Sequence, residues 1–314
     1  MRPSAIAFFV LAPFALISLP ATAQTADERA LWNSPVEPFR IFGPLYYVGT
    51  KEVSSFAIKT SDGLIVLDGG LPETAPRIVA SLGKLGLKIA DVKVLLNSHS
   101  HFDHAGGLAE LKKLSGARMV ASERDAAQLE SGGKGDFAWG DDNLFPAVQV
   151  DRKLKDGDTV TLGGITLTAH GTAGHTKGCT TWTATFEEKN VKGEIERRNA
   201  VFVCSTSVPD PENYRLAGNP RYPEIASDYE RTFKTLRELP CDLFLGAHGS
   251  FFGLEQKAAR LRAGDRNAFV DREGYRAYLD KSEKRFRDLL AEARAAVSAS
   301  SIPSNATMPN TLNR

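Results

Sequence analysis

The segment Asn97-Ser98-His99-Ser100-His101-Phe102-Asp103-His104 sets three imidazoles and a carboxylate within six positions, directly after the apolar run Val92-Lys93-Val94-Leu95-Leu96. In extended backbone, residues two apart face the same side, so His99 and His101 can grip one ion. Asp103 and His104 come where the chain turns into the amphipathic stretch Leu108 to Leu114, which lets them face a second ion beside the first. Imidazole and carboxylate suit zinc at about 2.0–2.2 Å, and other divalent metals compete chiefly through availability. The chain holds six histidines, at 99, 101, 104, 170, 175 and 248. Half of them sit in this one segment, so a solvated chance cluster is a poor account of it.

Further ligands stand on comparable turns. Ala173-Gly174-His175-Thr176-Lys177-Gly178 places His175 on a Gly-flanked turn, as a natural third ligand for the first ion. His248-Gly249 ends a predicted strand over 242–247 much as His99 ends its own. His170 lies inside a predicted strand and is given a structural role. Asp68 ends the apolar run 64–67 in Asp-Gly-Gly, where it either supports a ligand histidine or simply forms the turn.

The elements that must position these groups follow from pattern. Strands are predicted over 39–47, 54–60 and 118–121, with hairpins turning at Asp62-Gly63 and Gly163-Gly164. Helices are predicted over 72–85, 107–114, 122–129 (with Ser122 as a cap), 225–239, from 254, and from 272 to about 297. The loop 131–148 is rich in Gly and Asp but carries Phe137, Trp139 and Phe145, which either cover the core or line a cleft. Strands and helices fall into two comparable halves, each delivering ligands from strand ends. That argues an α+β fold of two mixed sheets packed face to face, flanked by helices, with a dinuclear metal site at one edge.

With 42% hydrophobic and 25% charged residues, the chain has ample core material for one large domain, placed at 24–297. The formal charge of +1 resides in Arg2, so the rest is balanced and offers no face for nucleic acid. Arg2, the apolar run 5–19 and Ala21-Thr22-Ala23 read as a cleavable leader over residues 1–23, which implies export to a periplasm with no membrane anchor in the mature chain. Residues 298–314, rich in Ser, Asn and Pro, are expected to be a disordered tail. An oxidising compartment permits a disulfide. If the strand-like stretches 179–186 and 200–204 pair as a hairpin, with the charged stretch 187–199 as connector, Cys179 and Cys204 meet at its base and Cys241 is left over. Three buried free thiols are the alternative.

The motif H-x-H-x-D-H, standing here as His99-Ser100-His101-Phe102-Asp103-His104, resembles the signature of the metallo-β-lactamase superfamily, whose fold is an αββα sandwich. Gly174-His175-Thr176 and Ala247-His248-Gly249 follow in that family's chain order, and the likeness runs from about Phe39 to Phe286. Dinuclear relatives such as glyoxalase II, ribonuclease Z-like enzymes and lactonases usually carry a bridging Asp after the strand corresponding to 200–204, where Ser205 stands here. Flavodiiron-type relatives put Glu at the position of His101. The serine, the full ligand motif, export and the stretch from Tyr214 to Pro223 together resemble class B β-lactamases of subclass 3. Subclass 1 would place Cys at 205, and subclass 2 would place Asn at 99. Many subclass-3 members bridge the positions matching Cys179 and Cys204. Others link the Cys241 position to a C-terminal cysteine that this chain lacks.

The resemblance implies a monomeric enzyme with two Zn2+ ions that opens the β-lactam amide of penicillins, cephalosporins and carbapenems through a metal-bound hydroxide, giving antibiotic resistance. It implies that His99, His101 and His175 hold the first ion, and Asp103, His104 and His248 the second. Asp103 would also orient the attacking water, and Ser205 and Ser207 would contact the substrate carboxylate, with Arg215 as a further candidate. The alternatives are a hydrolase of the same superfamily acting on a lactone or thioester, and a zinc-binding protein without turnover.

Overall fold

The computed structural model describes residues 29–300, with the side chain of Ser300 excepted. The leader and the end of the tail lie outside the described residues. Seven strands form the first sheet in chain order: β1 (Phe39–Phe42), β2 (Leu45–Tyr47), β3 (Phe56–Thr60), β4 (Gly63–Leu67), β5 (Val92–Leu96), β6 (Arg118–Ser122) and β7 (Arg152–Leu154). The first four are antiparallel, and β4 to β7 are parallel. The second sheet has the order β12-β11-β10-β9-β8, from β8 (Thr159–Leu162), β9 (Ile165–Gly171), β10 (Thr180–Lys189), β11 (Ile195–Val203) and β12 (Leu243–Gly246). Only its β11–β12 pair is parallel.

The helices are α1 (Ala75–Lys84), α2 (Phe102–Ala105), α3 (Leu108–Ser115), α4 (Glu123–Ser131), α5 (Pro211–Tyr214), α6 (Ile225–Glu238), α7 (Gly249–Phe252), α8 (Leu254–Arg262) and α9 (Arg272–Ser300). They flank the two sheets, as expected for the αββα sandwich.

Strand β5 explains the layering. Val94 and Leu96 join the core between the sheets, whereas Val92 and Leu95 join a second core that includes Ile78 and Leu82 of α1, Leu108 and Leu111 of α3, and Leu129 of α4. A strand buried on both faces reads as a nearly continuous apolar run, which is what β5 is. Between the sheets, Phe56 meets Phe202 edge-on at 5.0 Å, and Trp182 is fully buried. Burying a large apolar side chain contributes about 1.5–3 kcal/mol, so this layer is the main hold between the halves. Trp182 also reaches toward the metal-ligand segment. Its indole N–H donates to the Asn97 carbonyl at 3.1 Å, fixing the chain just beyond β5.

Several predicted boundaries need correction. The strand expected over 39–47 is two strands, turned at Gly43, whose φ of +50° suits glycine. Helix α1 starts at Ala75, with Pro76 rather than Pro72 in its first turn. The charged stretch 187–199 is not a connector: β10 and β11 pair out to Lys189 and Ile195. Its side chains are mostly wet on both faces, so no apolar alternation marks it as strand. Asn190 closes the turn by accepting from the N–H groups of Lys192 and Glu194. The short edge strand β7 and the helix α5, capped by Asp210, also carried no apolar signal. Helix α9 continues three residues past Val297, into the expected tail.

Cys179 and Cys204 are joined at the hairpin base with Cα atoms 5.9 Å apart, and Cys241 is free and buried. Burial pushes the Cys241 thiol up to about 12, so almost no thiolate exists near neutral pH. Titration with a thiol reagent should therefore find no reactive group in the native protein, one after denaturation, and three after denaturation with reductant. Three without reductant would mean that the bridge is absent.

Candidate metal centre

All six proposed ligands sit at one end of the sandwich, just past strand ends. β5 stops at Leu96, so 97–101 is a bent loop rather than strand, and His101 is the residue on which α2 begins (φ −80°, ψ 153°). The single turn of α2 then carries Asp103 and His104. His175 lies on the turn between β9 and β10, where Gly174 has φ +135° and a Cβ would sit 2.7 Å from the Tyr229 ring. His248 follows β12, opens α7, and pairs through a single bridge with Val53, in the segment between β2 and β3.

The side chains form two adjoining donor sets. In the first, the donors of His99, His101 and His175 all lie within 4.8 Å of one another, and His101 Nδ1 is 3.1 Å from His175 Nε2. In the second, Asp103 Oδ2 is 3.1 Å from His104 Nε2 and 3.5 Å from His248 Nε2, and those two nitrogens are 3.2 Å apart. Atoms about 2.0–2.1 Å from a tetrahedral zinc stand roughly 3.3 Å from each other, which is the spacing of the second set and of the His101–His175 pair in the first. The sets touch where the rings of His99 and His104 lie 4.3 Å apart. His99 Nε2 is buried and has no hydrogen-bond partner among the described residues. A buried lone pair without a donor is costly, and a cation would satisfy it.

For the first set, electrostatics point the same way. Burial, reinforced by neighbouring imidazoles, holds His99 and His175 well below the ordinary histidine range. Burial also lowers His101, against the pull of Asp136 and Asp103. Neutral imidazoles are what a metal needs. Burial acts against charge on both Asp103 and His104, but their mutual attraction prevails. The Asp103 carboxyl is held well below the usual range, and His104 is raised to about 10.

His99 and His175 are oriented from behind by hydrogen-bonding groups, as metal-ligating imidazoles usually are. Ser98 Oγ is 3.1 Å from His99 Nδ1 and donates to Asp68 Oδ2 at 2.7 Å. Asp68 also accepts from Asn97 Nδ2 and the Ser98 N–H, and stands 3.5 Å from His104 Nδ1. Its φ of +64° is left-handed, a conformation Asp tolerates better than most residues. His175 Nδ1 is 3.0 Å from the Ser207 carbonyl, which leaves Nε2 with the free lone pair. Glu52 lies 3.4 Å from His248 Nδ1, and Asp136 lies 3.9 Å from His101 Nε2. Neither acid stands in a motif, and only the fold brings them here.

Ser205 and Ser207 sit beside the first set. Ser205 is buried, with its hydroxyl 3.1 Å from that of Ser207, and the half-buried Ser207 hydroxyl is 3.2 Å from His175 Nδ1. Arg215 is exposed on its loop, where its Nε donates to the Glu212 carbonyl. His170 stands apart from both sets and lies 2.8 Å from Thr183 Oγ1. The aromatics of the loop 131–148 cover core: Phe145 joins the outer core and Phe137 packs against Tyr214 and Tyr222, while Asp136 lies near His101. Trp32, on the arm preceding β1, sits edge-on to His248 at 5.9 Å, a contact that no sequence signal marks.

The sequence model of the metallo-β-lactamase superfamily matches residues 48–187. Among solved structures, a Cronobacter sakazakii metallo-β-lactamase described by a HARLDQ motif is 40% identical, with 85% of this chain and 99% of that one aligned at a TM-score of 0.79. The FEZ-1 metallo-β-lactamase from Legionella gormanii is 40% identical over 83% of this chain and 98% of that one, at a TM-score of 0.79. BJP-1, a subclass B3 metallo-β-lactamase of Bradyrhizobium japonicum, is 41% identical over 85% and 98%, at a TM-score of 0.77. Among curated relatives, a hydroxyacylglutathione hydrolase of Rhodopseudomonas palustris is 34% identical over 105 residues. The chain spans only about a third of the length of that relative.

The two donor sets make a stoichiometric prediction. Equilibrium dialysis against zinc should find two ions per chain, and His175→Ala or His248→Ala should each leave one tightly held. A single ion in the unaltered protein, or two in either variant, would contradict the division of the ligands into two triads.

Proposed function

The chain belongs to the metallo-β-lactamase superfamily, and on that premise we propose that it is an exported class B, subclass 3 β-lactamase with two zinc ions. Its substrates are the penicillins, cephalosporins and carbapenems. The observation that carries the reading is the make-up of the donor sets: Asp103 is the one carboxylate in them among the described residues. The position where lactone- and thioester-cleaving relatives keep a bridging Asp is held by Ser205, whose hydroxyl bonds to Ser207. The similarity to subclass B3 structures over nearly their whole length supports the same choice, whereas the hydrolase of a thioester is matched over about a third.

When bound, the ions would supply a water acidified to a pKa near 7 and an electrophile for the lactam carbonyl. The protein does the rest. His99, His101 and His175 would hold the first ion, and Asp103, His104 and His248 the second. Asp103, negatively charged, within the second set and close to His99 of the first, can accept a hydrogen bond from the attacking water and aim it. Ser207, half-buried beside His175, presents its hydroxyl to a substrate carboxylate, with Ser205 behind it accepting from the Ser207 N–H and touching its hydroxyl. Trp32 and Phe251, packed around His248, give the site apolar walls that limit water at the reacting centre.

The Cys179–Cys204 bridge and the leader-like residues 1–23 support export to the periplasm, with one domain over 24–297 acting as a monomer. Among the described residues, no helix is long and apolar enough to cross a membrane.

Hydrolysis of a cephalosporin and a carbapenem by the chain from Gln24 should be abolished by a chelator and restored by zinc, and His248→Ala should lower kcat/KM by about 100-fold or more. A zinc-loaded protein that opens neither β-lactam but cleaves a thioester or lactone would replace this reading with the other. Ser207→Ala should raise KM about tenfold with little change in kcat, as expected for a lost hydrogen bond to a charged substrate group. An unchanged KM would remove Ser207 from substrate binding.

A further inference from the structure

Asp125 lies in the first turn of α4 and is buried. The pattern Ser122-x-x-Asp125 is that of a capping box, in which the acid of the first turn reaches back to the N–H of the cap residue. Ser122 plays its part, accepting from the Arg124 N–H at 3.2 Å. The Asp125 carboxylate instead turns away from its helix. Its Oδ2 accepts from the Ser100 N–H at 3.0 Å and from Thr176 Oγ1 at 2.7 Å, and its Oδ1 accepts from the Gly178 N–H at 2.7 Å.

Ser100 stands between His99 and His101, and Thr176 directly follows His175. One carboxylate therefore joins the two segments that carry the whole first donor set, one continuing β5 of the first sheet and the other linking β9 to β10 of the second. The close approach depends on glycine, since a Cβ at Gly178 would lie 2.4 Å from the Asp125 nitrogen and 2.7 Å from its Cβ and Cγ. Hydrogen bonds to an ionised acceptor are among the stronger ones, and three on a buried carboxylate make a stiff clamp.

We propose that Asp125 is a positioning residue for the first ion, setting the separation of the His99–His101 segment from His175 without itself touching the metal. The inference rests on the reading of those three histidines as metal ligands. Asp125→Asn keeps the shape but turns an N–H2 group toward a donor. Asp125→Ala leaves all three donors unpaired. Thr176→Val removes a single bond and keeps the carboxylate.

The test is to titrate Co(II) and zinc into the unaltered chain and the three variants against a chromophoric chelator, reading both affinities and the visible Co(II) spectrum. His248→Ala serves to identify the equivalent that belongs to the second set, and circular dichroism with Tm confirms that each variant is folded. Folded Asp125→Asn and Asp125→Ala should bind the first ion about 10- to 100-fold more weakly with an altered spectrum, and the second ion within about threefold. Thr176→Val should weaken the first ion about fivefold, the value of one lost hydrogen bond, and it decides alone if the Asp125 variants do not fold. Affinities unchanged within about twofold, or both ions weakened equally, would overturn the clamp, because a general loosening does not choose between sites. If the unaltered chain binds no pair of ions, the metal reading itself fails and the inference falls with it.

Discussion

The rest of the molecule answers to one electrostatic constraint. Imidazole nitrogens and a carboxylate oxygen are held about 3.1–3.5 Å apart in a buried place, several with no proton to share. The neutral imidazoles of the first set crowd lone pairs that repel one another, and removal from water strengthens that repulsion, whereas Asp103 and His104 attract. The arrangement persists only because the backbone around it is tied down. The Trp182 indole holds the Asn97 carbonyl, Asp68 holds Asn97 and Ser98, and two parallel neighbours hold β5 on either side. The large aromatic core between the sheets is thus a mounting for the site as much as a source of stability.

The same constraint explains the uneven quality of the histidine surroundings. His99, His104 and His175 are supported by short contacts from the loops that carry or face them. His248, which arrives from the last strand of the second sheet, is steadied by Glu52 and by the rings of Trp32 and Phe251. The arm before β1 and the segment around Glu52 belong to the first half of the chain. They therefore close the site across the seam between the halves.

What could be read from the sequence was whatever lies close along the chain. The spacing of His99, His101, Asp103 and His104 is a local fact, and so are the glycines beside His175 and His248. The sandwich followed from apolar strands ending in ligands. Asp68 was half legible, because a turn-former and a supporting acid look alike until the fold shows the partners it holds. Glu52, Asp136 and Asp125 carried no such mark: the first acts on a residue 196 positions away, and Asp125 stood in a pattern that ordinarily means a helix cap. The outer half of the β10–β11 hairpin was misread for a related reason. A ribbon wet on both faces has no alternation to detect, and pairing geometry alone makes it a strand.

The division of ligands between the two sheets bears on the order in which the molecule comes together. The first sheet and its loops supply His99, His101, Asp103 and His104, whereas His175 and His248 come from the second, the latter 144 residues beyond His104. A chain folded only through its first half holds a fragment of each donor set and the whole of neither. Long-range closures are slow because the entropy of the intervening loop must be overcome before contact rewards it. On the proposed ligand assignment, tight metal capture would therefore belong to the end of folding, after the sheets have docked, and an ion in each set would certify that the far end of the chain has reached its place.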